Sequence, residues 1–235
     1  MTPELFFSII VPAHNEEKYV GKTLEHLATL NYPKESYEVI VIENGSTDAT
    51  YDVARTYEGP QTHVYTYPQS GVSFARNRGL EYVQPHADWV VFLDADTIVL
   101  PDFLRDLSAS LQLCNRAVAG TTSVLPLAGR TTSRIWFGIY DVVHTVFHNS
   151  WALFFVKADV ARTLRFNEQA ALMEDQQYLR AACRRGAFQF VRTHTVYTST
   201  RRFDTDGWLR PVLLYTFVGL LPAKLQEVFR YGIVR

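Results

Sequence analysis

Short runs of consecutive apolar residues, separated by segments with helical periodicity, are the feature that most constrains the fold of this chain. The runs SIIV, EVIVI and WVVFL occupy residues 8–11, 38–42 and 89–93. A strand that is apolar at nearly every position has neither face in water, which is typical of a parallel sheet covered by helices on both sides. The pattern therefore predicts an α/β fold with a doubly wound, mostly parallel central sheet.

The alternation of predicted strands and helices extends over the first hundred residues. Asn15 is expected to cap the first helix, and Ser46, Thr47 or Asp48 the second. Beyond Leu125 the alternation weakens, but no linker rich in Gly, Ser or Pro divides the chain, so a single domain is expected. The predicted strands are Phe6–Val11, Tyr37–Ile42, Val64–Tyr67 and Trp89–Leu93, and the predicted helices are Glu16–Leu30, Asp48–Tyr57, Gly71–Val83 and Glu174–Arg185.

Charge and cysteine content exclude some classes of protein. The formal net charge of −1 gives no sign of the clustered basic surface that nucleic-acid binding requires, so no nucleic-acid partner is expected. The two cysteines, Cys114 and Cys183, are far apart and outside any CxxC arrangement, which argues against a disulfide framework or a zinc site. The N-terminal residues lack the basic region of a signal peptide, and we expect a cytoplasmic protein.

Two weakly charged segments raise the question of membrane contact. From Ile135 to Val156 the only formal charge is Asp141, and from Pro211 to Ala223 there is none. The first segment is interrupted by polar residues and the second is shorter than the roughly 20 residues that a spanning helix needs. We interpret both as core or pocket wall, with peripheral contact at the inner face of the membrane as the alternative.

Polar residues follow three of the predicted strands. PAHNEE comes after the first strand, ENGSTD after the second and DAD after Trp89–Leu93, and the carboxyl ends of parallel strands form the ligand crevice of such sheets. The carboxylates of Asp94 and Asp96 repel each other unless a cation lies beside them, and hard oxygen ligands suit Mg²⁺ or Mn²⁺. Capping of the following turn is the alternative role for either aspartate.

Five segments, in order, resemble the family 2 inverting glycosyltransferases of the GT-A fold. The resemblance runs from Phe7 to Gly186 and implies one GT-A domain over residues 1–235. Its Rossmann-like, nucleotide-sugar-binding half would span 1–100, its acceptor and catalytic half 101–207, and an amphipathic tail 208–235. The segments are SIIVPAHNEE, VIVIENGSTDAT, GVSFARNRGL, WVVFLDADT and MEDQQYLRAACRRG.

The resemblance implies roles for the residues of the first two loops. Pro12, Ala13, His14 and Glu16 would hold the nucleoside, and Glu43 would contact the base. The family often has Tyr in place of His14 and paired Asp in place of Glu43 and the residue after it, so the base stays open between UDP and GDP, with UDP favoured by family usage.

The remaining implied roles concern the diphosphate, the metal and the acceptor. Asp96 would coordinate Mg²⁺ or Mn²⁺, and Asp94 would contact the metal or the donor ribose. Arg76 would reach a diphosphate or sugar oxygen. Arg201 or Arg202 would contact the diphosphate from a closing segment that also carries Trp208. For Gly71 and Gly79, in the same motif as Arg76, simple turn and packing roles are as favoured as a role in the close approach of the donor.

The family's general base maps onto the pair Glu174 and Asp175, with Asp175 as the base that deprotonates the acceptor hydroxyl. The alternative is that both are first-turn acids that stabilise a helix whose core face is Tyr178, Leu179 and Ala182. The chain lacks the QxxRW signature of processive synthases. An inverting hexosyltransferase that transfers one sugar is therefore expected, and the apolar segments favour a lipid-linked acceptor only slightly over a soluble one.

Two other functions remain as alternatives. The run VVFLDADTIVL is similar to the first motif of haloacid dehalogenase hydrolases, in which Asp94 would be a phosphoryl-accepting nucleophile and Asp96 its acid/base. That motif normally opens its domain, whereas three strand and helix units precede it here. The second alternative is a sugar-nucleotide binder without catalysis, which retention of Asp94, Asp96 and Asp175 disfavours.

Overall fold

The computed structural model describes residues 4–127, 137–138, 150, 152–170 and 172–201. The strands are β1 Phe7–Ala13, β2 Tyr37–Asn44, β3 Thr62–Tyr67, β4 Trp89–Leu93, β5 Thr97–Val99, β6 Ala117–Thr122, β7 Leu125–Pro126, β8 Leu153–Lys157, β9 Ala187–Val191 and β10 Val196–Thr198. The helices are α1 Val20–Ala28, α2 Thr50–Arg55, α3 Val72–Tyr82, α4 Phe103–Leu113, α5 Ala158–Ala161 and α6 Glu174–Cys183, with a short 3₁₀ helix at Lys34–Ser36.

The central sheet confirms the predicted fold class. Its seven strands lie in the order β3, β2, β1, β4, β8, β6, β9. All of them run in the same direction except β8, which is antiparallel to both of its neighbours, β4 and β6. A small second sheet, β5, β10 and β7, lies beyond the end of β4. The carboxyl ends of β1, β2 and β4 therefore meet at one edge of the central sheet.

Helices cover both faces of this sheet because alternate residues of each central strand face opposite sides. On β1, Ile9 packs with α1 and α4 in one apolar cluster, whereas Ile10 packs with α3 and α6 in a second. Every residue of β1 and of β4 is buried, as the continuous apolar runs predict. The core face of α6 also lies where it was predicted, since Tyr178, Leu179 and Ala182 are buried.

Of the predicted helix caps, the one at Asn15 is wrong and the one at Asp48 is confirmed. Helix α1 begins at Val20 and has no side-chain cap, because Asn15 has a left-handed backbone (φ 55°) and its side-chain oxygen instead accepts a hydrogen bond from the backbone N–H of Thr47 (2.8 Å). Helix α2 begins at Thr50, and Asp48, one of the three residues predicted to cap it, accepts a hydrogen bond from the backbone N–H of Thr50 (3.0 Å). The polar residues of both loops are used to join the loops to each other.

Gly79 has a packing role, in line with one of the two roles predicted for it. A Cβ atom there would lie 2.4 Å from Cγ2 of Ile10, so the glycine allows α3 to approach β1. We expect Gly79→Ala to lower the free energy of unfolding by about 1–3 kcal/mol through overpacking. Urea denaturation would measure the change. Gly59→Ala is the control, because a Cβ there meets no atom closer than 4.0 Å; equal stability of the two variants would contradict the packing role.

Cys114 and Cys183 are both free thiols. Among the residues described, no helix combines the length and apolar character needed to cross a bilayer. Most of segment 135–156, and all of 202–235 with Arg202 and Trp208, lie outside the described residues. The division of the domain into two halves and a tail stays a prediction.

Candidate active site

The loops that follow β1 and β2 are hydrogen-bonded to each other along their length. The backbone N–H of Asn15 donates to the hydroxyl of Ser46 (3.0 Å), and the N–H of Glu16 donates to the hydroxyl of Thr50 (2.7 Å). In the other direction, the N–H of Thr47 donates to Asn15. These mutual bonds fix the two loops as one continuous wall at the carboxyl edge of the sheet.

Pro12 and Ala13 end β1 inside this wall. They lie in register with Ile42 and Glu43 of β2, and Ala13 is fully buried. The Nδ1 atom of His14 lies 2.8 Å from the carbonyl oxygen of Asn44, so Nδ1 is the protonated donor of that contact. The sheet thus brings the first-loop residues predicted to hold the nucleoside beside the end of β2.

Glu43 is buried and bound within the protein. One of its carboxylate oxygens accepts a hydrogen bond from the backbone N–H of Ser46 (2.7 Å), and the other accepts from the hydroxyl of Thr66. Gly45, which follows β2, has φ 70° and would place a Cβ 2.8 Å from the carbonyl oxygen of Pro68. Glu43 therefore shapes the loop after β2, and its predicted contact with a base stays a prediction.

A buried arginine joins the end of β4 to the start of α6. The two terminal nitrogens of Arg76 donate to Asp94 Oδ1 (3.2 Å) and Glu174 Oε1 (3.0 Å). Its guanidinium also lies over the rings of Phe154 and Phe166, 5.4 and 5.5 Å from their centroids. Burial alone would lower the pKa of Arg76, but the neighbouring carboxylates hold it above its usual value. Its side chain is 7% exposed.

A second arginine joins the loop after β1 to the second aspartate of the DAD motif. Arg201 pairs with Glu16 and, at 3.3 Å, with Asp96 Oδ2, and its guanidinium lies 4.6 Å from the ring centroid of Tyr19. These carboxylates raise the pKa of Arg201 against the opposing effect of burial. Of the two arginines predicted near the diphosphate, Arg201 lies at this edge, and Arg202 is outside the described residues.

Asp94 and Asp96 follow β4 in a tight turn that other elements hold in place. The backbone N–H of Thr97 donates to the carbonyl of Asp94 (3.0 Å), and the hydroxyl of Thr23 donates to the carbonyl of Ala95 (2.7 Å). No group of three or more His, Cys, Asp or Glu side chains suited to a metal occurs in the described part of the chain. Mg²⁺ is usually held by one or two carboxylates together with substrate phosphates and water, and this pair of aspartates fits that mode.

Asp175 lies in the first turn of α6, directly after a left-handed residue, Met173 (φ 61°), and Glu174. Its Oδ2 accepts a hydrogen bond from the hydroxyl of Ser150 (2.9 Å). Burial, and then the negative charge of Glu174, raise the pKa of Asp175 to about 6, although Arg76 opposes them. A carboxylate with this pKa is largely ionised at pH 7 and is a stronger base than an exposed aspartate.

The structure thus brings together Asp94, Asp96, Arg76, Glu16 and Asp175, which lie in four separate sequence motifs. Two participants have contacts that the sequence did not indicate. Glu174 was considered only together with Asp175, as a candidate pair or as first-turn acids, and Ser150 lies in an aromatic-rich segment without a recognisable motif. The spacing of 25 residues between Ser150 and Asp175 carries no sequence signal that would have paired them.

The sequence of this chain is similar to those of known glycosyltransferases. The family model described as "Glycosyl transferase family 2" matches residues 8–189. AglE, a glycosyltransferase of Haloferax volcanii, is 36% identical over 94 residues, which are 39% of this chain and 30% of that protein. The poly(ribitol-phosphate) β-N-acetylglucosaminyltransferase TarS of Staphylococcus aureus is 31% identical over 104 residues, 44% of this chain and 18% of TarS.

Solved structures show the same architecture. The crystal structure of S. aureus TarS residues 1–349 superposes with a TM-score of 0.68 and 20% identity, covering 94% of this chain and 68% of that one. The mannosyltransferase PcManGT of Pyrobaculum calidifontis, in complex with GDP-Man and Mn²⁺, gives a TM-score of 0.64 and 19% identity, covering 84% of this chain and 57% of that one. The aligned stretches span less than a third of AglE and of TarS.

Proposed function

Since the chain belongs to glycosyl transferase family 2, we propose that it transfers a single sugar from a nucleoside diphosphate sugar to an acceptor hydroxyl, with inversion at the anomeric carbon. The observation that carries the proposal is that Arg76 joins Asp94 of the DAD motif to Glu174, the residue before Asp175. An inverting transfer needs a leaving-group site and a base on opposite sides of the reacting carbon. Asp94 and Asp96 are the candidates for the first, and Asp175 is the candidate for the second.

The charges of the cleft support dependence on Mg²⁺ or Mn²⁺. Among the described residues at this end of the sheet, the carboxylates outnumber the guanidinium groups, and these carboxylates would repel an anionic diphosphate unless a cation intervened. A divalent cation held by Asp96 and Asp94 would assist departure of the nucleotide as a Lewis acid. The carboxylates are Glu16, Asp94, Asp96, Glu174 and Asp175, and the guanidinium groups are Arg76 and Arg201.

The protein groups perform the remaining steps. Asp175 removes the proton from the acceptor hydroxyl as the oxygen attacks the anomeric carbon, and the bond from that carbon to the diphosphate oxygen breaks with the electron pair leaving on the nucleotide. The hydroxyl of Ser150 binds Oδ2 of Asp175 and fixes the orientation of the carboxylate. Arg201, which pairs with Asp96, would contact the diphosphate from that side.

We propose UDP as the nucleotide, with GDP second. TarS has been crystallised with UDP and with UDP-GlcNAc, and PcManGT with GDP-Man. A lipid-linked acceptor is proposed because one relative, from Methanococcus voltae, 33% identical over 43% of this chain and 32% of its own length, is named for transfer to a dolichyl phosphate sugar. A cytoplasmic location with contact at the inner face of the membrane is part of the same proposal, and absence of binding to anionic liposomes at low salt would contradict the contact.

A thermal-shift panel tests the nucleotide and the metal together. We expect UDP with Mn²⁺ to raise the melting temperature more than GDP with Mn²⁺ does, and more than UDP without the metal. A ligand at about 100 times its Kd adds about 2.7 kcal/mol of stability, enough to shift the midpoint by several degrees. Equal shifts with and without Mn²⁺ would contradict a shared metal and diphosphate site.

The phosphohydrolase alternative has its own test. If Asp94 were a phosphoryl-accepting nucleophile, the protein with Mg²⁺ would release phosphate from p-nitrophenyl phosphate. We expect no such release. Steady hydrolysis that is lost in Asp94→Asn would favour the alternative and contradict the transferase.

A further inference from the structure

The guanidinium of Arg76 is enclosed by protein groups, which leaves little room for a donor to reach it. Each of its terminal nitrogens already donates to a carboxylate, Asp94 on one side and Glu174 on the other. The rings of Phe154 and Phe166 lie close to its guanidinium, and only 7% of the side chain is exposed. These contacts fix the guanidinium inside the protein, between β4 and the start of α6.

On the premise of the proposed function, in which Asp175 is the base, we propose that Arg76 is a positioning residue that acts through Glu174 on Asp175 and is not a direct ligand of the donor. Two physical effects support this role. One is mechanical and concerns where α6 begins. The other is electrostatic and concerns the charge of Asp175.

The mechanical effect comes from the connection between Glu174 and its neighbour. Glu174 and Asp175 are consecutive residues, so a fixed Glu174 side chain limits how far the backbone of Asp175 can move. Arg76 holds Glu174 at 3.0 Å, and Arg76 is itself packed by the rings of Phe154 on β8 and Phe166. The first turn of α6 is thereby tied to the central sheet at the residue next to the base.

The electrostatic effect follows from two adjacent acids in a buried place. The charged groups that act on Asp175 are Glu174, which disfavours its ionised form, and Arg76, which favours it; the uncharged donors are the hydroxyl of Ser150 and the N–H of Gln176. Without Arg76, Glu174 would be a buried carboxylate whose partner is lost, and Asp175 would hold its proton to higher pH. A protonated aspartate cannot accept the proton of the acceptor.

The test compares pH profiles of donor hydrolysis, with UDP-GlcNAc and Mn²⁺ and with water as the acceptor; GDP-mannose replaces UDP-GlcNAc if the thermal-shift panel selects GDP. In Arg76→Gln we expect the acid limb of kcat/KM to move upward by at least one pH unit. At pH 5 this is a loss of about tenfold or more that is largely recovered at pH 8.5. Adding Glu174→Gln to this variant should move the limb back down, because the like charge is gone. Arg78→Gln is the matched control, since Arg78 lies on the same helix and pairs with Glu81 at the surface.

Each outcome decides the question. An unmoved acid limb with an equal fall in kcat at every pH would mean that Arg76 is only structural, and a rise confined to the donor KM would mean that it binds the donor. If Arg76→Gln does not fold, the single variant Glu174→Gln is tested instead. Its acid limb of kcat/KM should move to lower pH, and an unmoved limb overturns the proposal. Full donor hydrolysis by Asp175→Asn would show that Asp175 is not the base. If Asp175→Asn is inactive but the acid limb of Arg76→Gln does not move, only the role of Arg76 is refuted.

Discussion

Replacing Asp175 with asparagine is expected to lower kcat by about 10²–10⁴-fold, the usual contribution of a general base, and to leave the Kd for UDP with Mn²⁺ within about twofold. The amide cannot accept the proton of the acceptor, whereas the groups proposed to hold the nucleotide lie on other elements. Release of UDP from UDP-GlcNAc would measure the first effect and calorimetric titration with UDP the second. Asp159→Asn is the control, because Asp159 is an exposed aspartate that pairs with Lys157.

The raised pKa of Asp175 predicts a pH dependence of kcat/KM that loss of folding in a variant would not produce. The unprotonated form is the active one, so kcat/KM of the unsubstituted enzyme should rise with pH through about 6. The folded state raises this pKa above its ordinary value, so the ionised carboxylate destabilises the fold above that pH. Asp175→Asn should therefore melt no lower than the unsubstituted protein at pH 8. A variant that keeps turnover, or a rate that is flat between pH 5 and 7, would exclude Asp175 as the base.

Replacing Asp96 with asparagine is expected to lower kcat/KM by about 100-fold or more, since even loss of groups around a metal ligand costs 10–100-fold in metal affinity or activity. The substitution also removes the ion pair with Arg201, while Arg201 keeps its partner Glu16. The expected result in the thermal-shift assay is loss of the additional stabilisation that Mn²⁺ gives to UDP.

The control for this change is Asp102→Asn, six residues further on, where the carboxylate is exposed and faces Asn31 and Arg105. That variant should keep both activity and the response to Mn²⁺. Full activity of the unsubstituted enzyme in the presence of a chelator would exclude the metal. Unchanged Mn²⁺ dependence in Asp96→Asn would assign the metal to other residues.

The central sheet could be predicted from sequence because its information is local. The run WVVFL ends at the residue where β4 ends, since burial on both faces selects apolar residues throughout the strand. The beginning of α1 could not be predicted in this way. Asn15 has the usual chemistry of a helix cap, but its side chain meets Thr47 of a loop 32 residues away, and the hydrogen bond to that loop replaces the cap.

The residues of the candidate site show the same difference between local features, which the sequence predicts, and long-range contacts, which it does not. The motifs correctly predicted that Asp94 and Asp96 follow the end of β4 and that Asp175 lies in the first turn of α6, because strand ends and helix starts are fixed by the fold. The pairing of Arg76 with Glu174 joins residues 98 positions apart, and it depends on how closely α6 approaches α3. Side-chain partners of this kind follow from packing in three dimensions, which the sequence of either segment alone does not specify.

Strand β8 runs in the opposite direction to its neighbours, and this determines what lies beside the carboxyl end of β4. Because Leu153 lies opposite Leu93, the amino end of β8 meets the carboxyl end of β4, and Ser150, just before β8, donates a hydrogen bond to Asp175. The loops after β1 and β2 are bonded to each other and not to this residue. On the proposed function, substitutions at Ser150 would therefore alter the surroundings of the base while leaving the bonds between those two loops intact.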